Sequence, residues 1–165
     1  MVTRAWRGAA RSCKAVGTMT ALRTISLWQP FASLIFARKK KHDTRSFRAI
    51  ARHDGERLVI HAAKKMLPDE LLTPELHALC VETFGPDYRE TLPRGVLLGT
   101  VELGYCRSSS DIRHTLDADD FAAGDWTDGR YGWEFRNPQA VPSPIPAKGQ
   151  QGWWSTDPQL LNQET

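Results

Sequence analysis

Lys40, Asp43 and Arg45 set an amine, a carboxylate and a guanidinium within six residues of one another. On a strand, positions 43 and 45 share a face. An acid flanked by two bases on a sheet rim can hold a polar ligand: Asp43 accepts from a base N–H, while Lys40 and Arg45 meet a phosphate or carbonyl oxygen. The spacing alone equally describes an exposed, salt-bridged edge worth under ~1 kcal/mol. Around the cluster, residues 38–52 carry seven bases (Arg38, Lys39, Lys40, Lys41, Arg45, Arg48 and Arg52) against Asp43 alone. Such a run can form an electrostatic footprint for a few phosphates. Residues 108–129 oppose it, with six aspartates against Arg113, so any nucleic-acid contact is local and salt-sensitive.

Six tryptophans are available to stack on a base, each such stack contributing ~1–3 kcal/mol. Trp28, after the first strand-like run, and Trp133, inside another, are the stacking candidates. Trp153 and Trp154 read as core, and Trp6 and Trp126 receive no assignment. His61 closes the apolar run Leu58–Ile60, either as a base or donor in a cleft or as a histidine bonded to backbone. Glu102 and Glu134 lie in strand segments; an inward carboxylate near Lys40 would make an acid–base pair with shifted pKa values. The remaining histidines (His42, His53, His77 and His114) form no i, i+4 pair, and the three cysteines form no C-x-x-C, so no metal is expected. G-x-S-x-G, P-loop and G-x-G-x-x-G patterns are also absent, leaving nucleophilic catalysis without a sequence motif.

These side chains need elements to position them. Arg23–Leu27 alternates weakly and suits a short strand. Pro30 stands where a helix begins, and Phe31, Leu34 and Ile35 form one apolar stripe after it. Residues 41–47 read as an extended edge, and Arg57–Ala62 as a buried strand. Thr73-Pro74-Glu75 is a helix start, with an inner face of Leu76, Leu79, Cys80 and Thr83 and a stop at Gly85-Pro86. Val96–Leu103 is the most strand-like run, with Gly99 marking a bulge or bend. Residues 108–129 read as an acidic loop. Tyr131–Arg136 alternates with Tyr131, Trp133 and Phe135 on one face, and a proline-spaced stretch follows. Short strands with two early helices predict an α+β domain, most simply a small closed or nearly closed β-barrel of five to six strands with two flanking helices.

The 165 residues suit one domain, assigned to 20–156 and followed by a frayed tail at 157–165. The net charge of +3 comes from 22 bases against 19 acids, and four of those bases lie in the acid-free segment 1–18. That N-terminal extension, counted as 1–19, reads as disordered, as a transit-like leader, or as the product of a start placed ahead of Met19. No apolar run reaches the ~18 residues that would span a membrane. Three unclustered cysteines suggest free thiols in a reducing compartment, the cytoplasm being the expected location and a monomer the expected state.

The segment Ile25-Ser26-Leu27-Trp28-Gln29-Pro30-Phe31-Ala32-Ser33-Leu34-Ile35 resembles the opening of the ASCH-domain family, in the PUA-like superfamily of small β-barrels. The family's signature, glycine-x-lysine-x-x-glutamate-x-arginine, aligns with Arg38–Arg45. Lys40 and Arg45 are retained, whereas Arg38 replaces glycine and Asp43 replaces glutamate. Arg38 puts the turn geometry in question, since arginine disfavours positive φ. Further blocks follow in order at His61–Lys64, Leu92–Gly95 with the Gly99–Leu103 strand, Tyr131-Gly132-Trp133 and Gly149–Trp154.

The resemblance implies a cleft that binds RNA, a nucleotide or a modified nucleoside. It implies a ligand-binding set of Trp28, Gln29, Lys40, Asp43, Arg45, Arg48, His61 and Trp133, with no cofactor. One branch of the family hydrolyses the amide of an acetylated cytidine with a lysine, a threonine and a glutamate, and other ASCH-like proteins are described as ribonucleases. As an enzyme this chain would use Lys40, Asp43 and Glu102. Asp43 stands at the threonine position, which places direct nucleophilic attack there in doubt and leaves Asp43 as a base for water.

Overall fold

The computed structural model describes residues 20–49 and 55–162, so the N-terminal extension 1–19, with Arg52 and His53, lies outside the described residues. Strand β1 (Leu22–Gln29) alternates as its sequence suggests and buries Ile25 and Leu27. Helix α1 (Phe31–Phe36) starts directly after Pro30, where proline's missing N–H leaves no orphan donor. It divides the core: Ala32 and Ile35 join the cluster beneath the sheet, and Leu34 joins a second cluster under the helices.

The turn after α1 carries the departure from the family signature. Arg38 takes φ +60°, the left-handed conformation that glycine normally supplies. Arg38 N donates to Ile35 O and Lys39 N to Leu34 O, both at 3.0 Å, closing the helix as a Schellman motif does. The turn geometry is therefore kept, at a steric cost of about 1–2 kcal/mol for a residue with a Cβ.

Strand β2 (His42–Arg45) is an edge, as its polarity suggests. Strand β3 (Arg57–Met66) buries Leu58 through Ala62 in an unbroken run, as expected where both faces are covered. Helix α2 (Pro74–Phe84) has Thr73 at its N-cap, whose hydroxyl accepts from Leu76 N at 3.2 Å, and α3 (Tyr88–Thr91) follows. Strand β4 (Val96–Ser108) contains Gly99 at φ +149°. Its register with β3 and with β5 shifts on either side of Gly99, the bulge anticipated there.

Three segments differ from their sequence reading. The acidic stretch is not all loop, because it contains α4 (Ser109–Ile112) and α5 (Ala118–Ala122), capped by Ser108 and Asp117. Strand β5 (Tyr131–Pro146) continues through the proline-spaced stretch, since alternate positions still pair, such as Leu97 with Ile145 and Gly99 with Ala140. After β6 (Trp154–Thr156), Pro158–Asn162 winds into a 3-10 turn where fraying was expected.

The fold is α+β, built on a six-stranded mixed sheet in the order β2-β5-β4-β3-β1-β6, with β1 and β3 parallel and every other pair antiparallel. The sheet is not closed into the expected barrel. Its two edge strands are too short to complete a ladder: β2 has four residues, and β6 pairs only with Leu22, Arg23 and Thr24 of β1. Beyond Thr24, Ile25–Trp28 present to β2 an edge that β6 does not reach. Curvature still draws the ends together, because Trp153 before β6 stacks on Trp133 of β5 at 5.6 Å and 17°.

Candidate functional site

That open seam is the cleft. Ser26, Leu27 and Trp28 from β1 and Asp43, Thr44 and Arg45 from β2 line one hollow of about 1020 Å³. The turn after α1 drives Lys40 inward, leaving it 3% exposed at the hollow's base. Its ammonium donates to Ala123 O at 2.6 Å, lies 3.9 Å from Asp43 Oδ1 and sits over the Phe31 ring at 5.0 Å. Burial holds this amine below its ordinary value of 10.5, against the attraction of Asp43 and Asp120. Asp43 is 8% exposed and accepts from Arg45 Nε at 2.7 Å, as two residues on one strand face can. The Arg45 guanidinium lies over the Trp133 ring at 5.6 Å.

The acidic stretch forms one wall. Buried Asp120 accepts from the backbone N–H groups of Lys41 (2.8 Å) and His42 (3.1 Å) with Oδ1, and pairs with His42 Nδ1 at 2.6 Å through Oδ2. Asp119 pairs with Lys39 at 2.8 Å and Asp117 with Lys41. These bonds raise both amines above their ordinary value. Lys39 and Lys41 therefore face carboxylates, which offsets part of the phosphate footprint read from residues 38–52. Thr44, on the opposite strand face from Asp43, accepts from Asp125 N at 3.1 Å. Trp126, which received no role, is buried against this wall with its indole N–H on Phe121 O at 3.0 Å.

The cleft continues past Ser26, Trp28 and Arg45 into a second hollow of about 1030 Å³. Lys64 and Lys65 reach it from the end of β3, and Lys148 from the loop after β5. Arg45 adds a fourth cation, and among the described residues no carboxylate lines this half. Trp28 stands at the junction, 39% exposed, with the Lys65 ammonium 5.9 Å from its ring centroid.

The expected residues divide accordingly. Trp28, Lys40, Asp43, Arg45 and His61 line the composite cleft. Gln29 is fully buried and clamps α1 to the chain before β4: its Nε2 donates to Ser33 Oγ and Pro93 O, and its Oε1 accepts from Ser33 N. Trp133 is 1% exposed, packed between Phe47, Trp153 and Arg45, so its ring supports the cleft from behind. Arg48 is exposed outside both hollows. Glu102 lies between buried Val101 and Leu103 and therefore points to the other face of β4, where it meets Arg57 and Asn137. Glu134 likewise binds Arg136 and Tyr105 N, and those hydrogen bonds offset burial to hold its carboxyl below the ordinary value. Among the described residues, no three His, Cys, Asp or Glu side chains gather as metal ligands.

Comparison with known sequences bears on this arrangement. The family model of the ASCH domain matches residues 25–146, most of the chain. The chain belongs to the ASCH-domain family. No curated protein sequence matches it. The ASCH domain is also similar to the crystal structure of ASCH from Zymomonas mobilis, with a TM-score of 0.52 and 15% identity over 84% of this chain and 89% of that one. Two mutants of the Zymomonas mobilis protein superpose with TM-scores of 0.48 and 0.47, at 15% and 16% identity, covering 84% of this chain in each case and 91% and 89% of theirs. At such identity the likeness shows the fold alone. In the ASCH domain described here, the signature lysine and arginine lie in the unclosed seam of the sheet. Lys64, Lys65, Lys148, Thr44 and Trp126 were not found by motif because they come from four separate segments; only the paired lysines after the buried strand left a visible signal.

Proposed function

We propose that this ASCH domain binds RNA or a nucleotide-sized ligand, including a modified nucleoside, in the two-part cleft. The observation that carries the reading is Trp28, a partly exposed indole between a hollow lined by three lysines and Arg45 and a hollow floored by buried Lys40. An indole face accepts any base, and the adjoining cations meet phosphate. Asp43, held by Arg45, presents a carboxylate to donor groups on a base edge.

Fluorescence titration with short RNA and with free nucleotides tests this. If Lys64, Lys65 and Lys148 neutralise three phosphates of a single strand, affinity falls about twenty-fold between 50 and 200 mM salt. Indole quenching lost in Trp28→Ala assigns the stack. Affinity that ignores both salt and Trp28 sinks the reading.

A hydrolytic reading draws on one observation, the Lys40 amine held below its ordinary value beside Asp43. Such pairs occur in acid–base sites, and this one would act on the amide of an N4-acetylated cytidine, with Asp43 activating water and Lys40 holding the oxyanion. Glu102 faces the other side of β4, toward Arg57 and Asn137, and has no part in it. Turnover of N4-acetylcytidine, or cleavage of labelled RNA, that disappears in Lys40→Met separates catalysis from binding alone.

A further inference from the structure

The cationic half of the cleft contains a hydroxyl in contact with a base. Ser26 Oγ lies 3.0 Å from His61 Nδ1, and His61 Nε2 lies 3.1 Å from Ala147 O. The proton positions follow from the partners. A carbonyl can only accept, so Nε2 carries the hydrogen; Nδ1 of the neutral ring is then the acceptor, and Ser26 donates to it. Trp154 Nε1, which can only donate, reaches Ser26 Oγ at 3.2 Å. The ring is also fixed by packing. It is 1% exposed, meets the Trp154 ring edge to face at 5.5 Å, and lies under Gly149, where a Cβ would come within 2.7 Å of Nδ1. Ser26 opens into both halves of the cleft.

We infer that Ser26 is a nucleophile and His61 its general base, accepting the acyl group of an ester whose remaining part is anionic. The carrier is taken from the nucleotide-binding reading and rests on it; the nucleophile does not. Ser26 Oγ forms a bond to the ester carbonyl carbon while its proton passes to His61 Nδ1. Collapse of the tetrahedral intermediate breaks the bond to the leaving alcohol, which takes that proton from Nδ1. Water then attacks the acyl-serine, giving its proton to Nδ1, and the freed carboxylic acid leaves Ser26 protonated again. The Nε2–H bond to Ala147 plays the orienting part that a carboxylate plays in a serine triad. The four lining cations favour the oxyanion by their field.

Burial keeps the His61 imidazole below its ordinary value of 6.5, against the bond to Ala147, so it is a neutral base at pH 7. Among the described residues, the charged groups lining this hollow are Arg45, Lys64, Lys65 and Lys148, all of them cations. The pair is 35 residues apart in sequence and lacks a nucleophile-elbow motif, which is why only the fold reveals it.

The test treats the full chain with a fluorophosphonate and locates the adduct by peptide mass spectrometry. A single adduct on Ser26 is expected, absent in Ser26→Ala and slowed at least ~100-fold in His61→Gln. Because His61→Gln removes a buried ring and can fail to fold, the wild-type labelling rate is also followed against pH. It should level off above an inflection lying below 6.5. An unlabelled Ser26 in folded protein overturns the inference, as does a rate that climbs tenfold per pH unit through 8 and 9. Nucleotide binding read by Trp28 fluorescence separates the two ideas: binding with Ser26 unreactive removes only the nucleophile, and a reactive Ser26 without binding removes only the nucleotide carrier.

Discussion

Replacing Lys40 by methionine should weaken ligand binding while moving fold stability by no more than about 2–3 kcal/mol. Methionine nearly matches lysine in length and fills the space beside Phe31 and Ala123 without an ammonium. Exchanging buried ions for hydrophobes of similar volume often gains about 1–4 kcal/mol, provided that no partner charge is left unpaired. Against this, Ala123 O loses its 2.6 Å donor, which costs about 1–3 kcal/mol when a buried acceptor is left unmet. Asp43 keeps its 2.7 Å bond from Arg45, so no carboxylate is stranded. The balance runs from about 2 kcal/mol lost to about 3 kcal/mol gained, a Tm change within roughly 10 °C in either direction for a domain of this size. The pH dependence has a definite sign. The folded amine lies below the unfolded value of 10.5, so the ammonium destabilises the fold at any pH below the folded pKa. That cost fades as pH rises from the folded pKa toward 10.5, and wild type gains on Lys40→Met over that window. Urea titrations at pH 7 and pH 10, run beside ligand titration, read both effects. A variant more than about 2 kcal/mol weaker than wild type at pH 7, or one that gains on wild type toward pH 10, refutes the reasoning.

Other substitutions test the scaffold. Arg38→Gly should stabilise the domain by about 1 kcal/mol in urea titration, since it relieves a Cβ at φ +60° while keeping the Schellman bonds. Asp120→Ala should cost about 3–5 kcal/mol by the same measurement, because it unpairs two backbone N–H groups and His42 and frees the acidic wall from β2. Gly99→Ala should yield little folded protein by circular dichroism: its Cβ would lie 2.7 Å from Phe36 Cε1 and 2.8 Å from Ala140 Cα, and closer still to Gln139 O. Trp28→Ala should move stability by no more than about 1–2 kcal/mol, given its exposure, yet weaken nucleotide binding roughly ten- to hundred-fold. The comparable Gln29→Ala should do the reverse, lowering Tm through its three lost hydrogen bonds with little direct effect on affinity.

Local chemistry made much of the fold legible from sequence. Thr73-Pro74 starts α2, the alternation of β5 puts Trp133 and Phe135 inward, and Gly99 bends β4, each because the deciding interaction lies within a few residues. The ordered blocks from Ile25 to Trp133, with Lys40 and Arg45 in the signature, point to the family and make Lys40 a candidate site residue. Direction and partnership were another matter. Whether Glu102 or Asp43 faces Lys40 depends on which side of a strand meets the core, and a one-residue change of phase reverses it. Lys39 and Lys41 read as free charges until the aspartates some eighty residues later are folded against them. Ser26 and His61 meet only because β1 and β3 pair in parallel with those two residues in register. The cleft itself comes from edge strands too short to close the sheet, a consequence of ladder geometry that no single stretch of the chain contains.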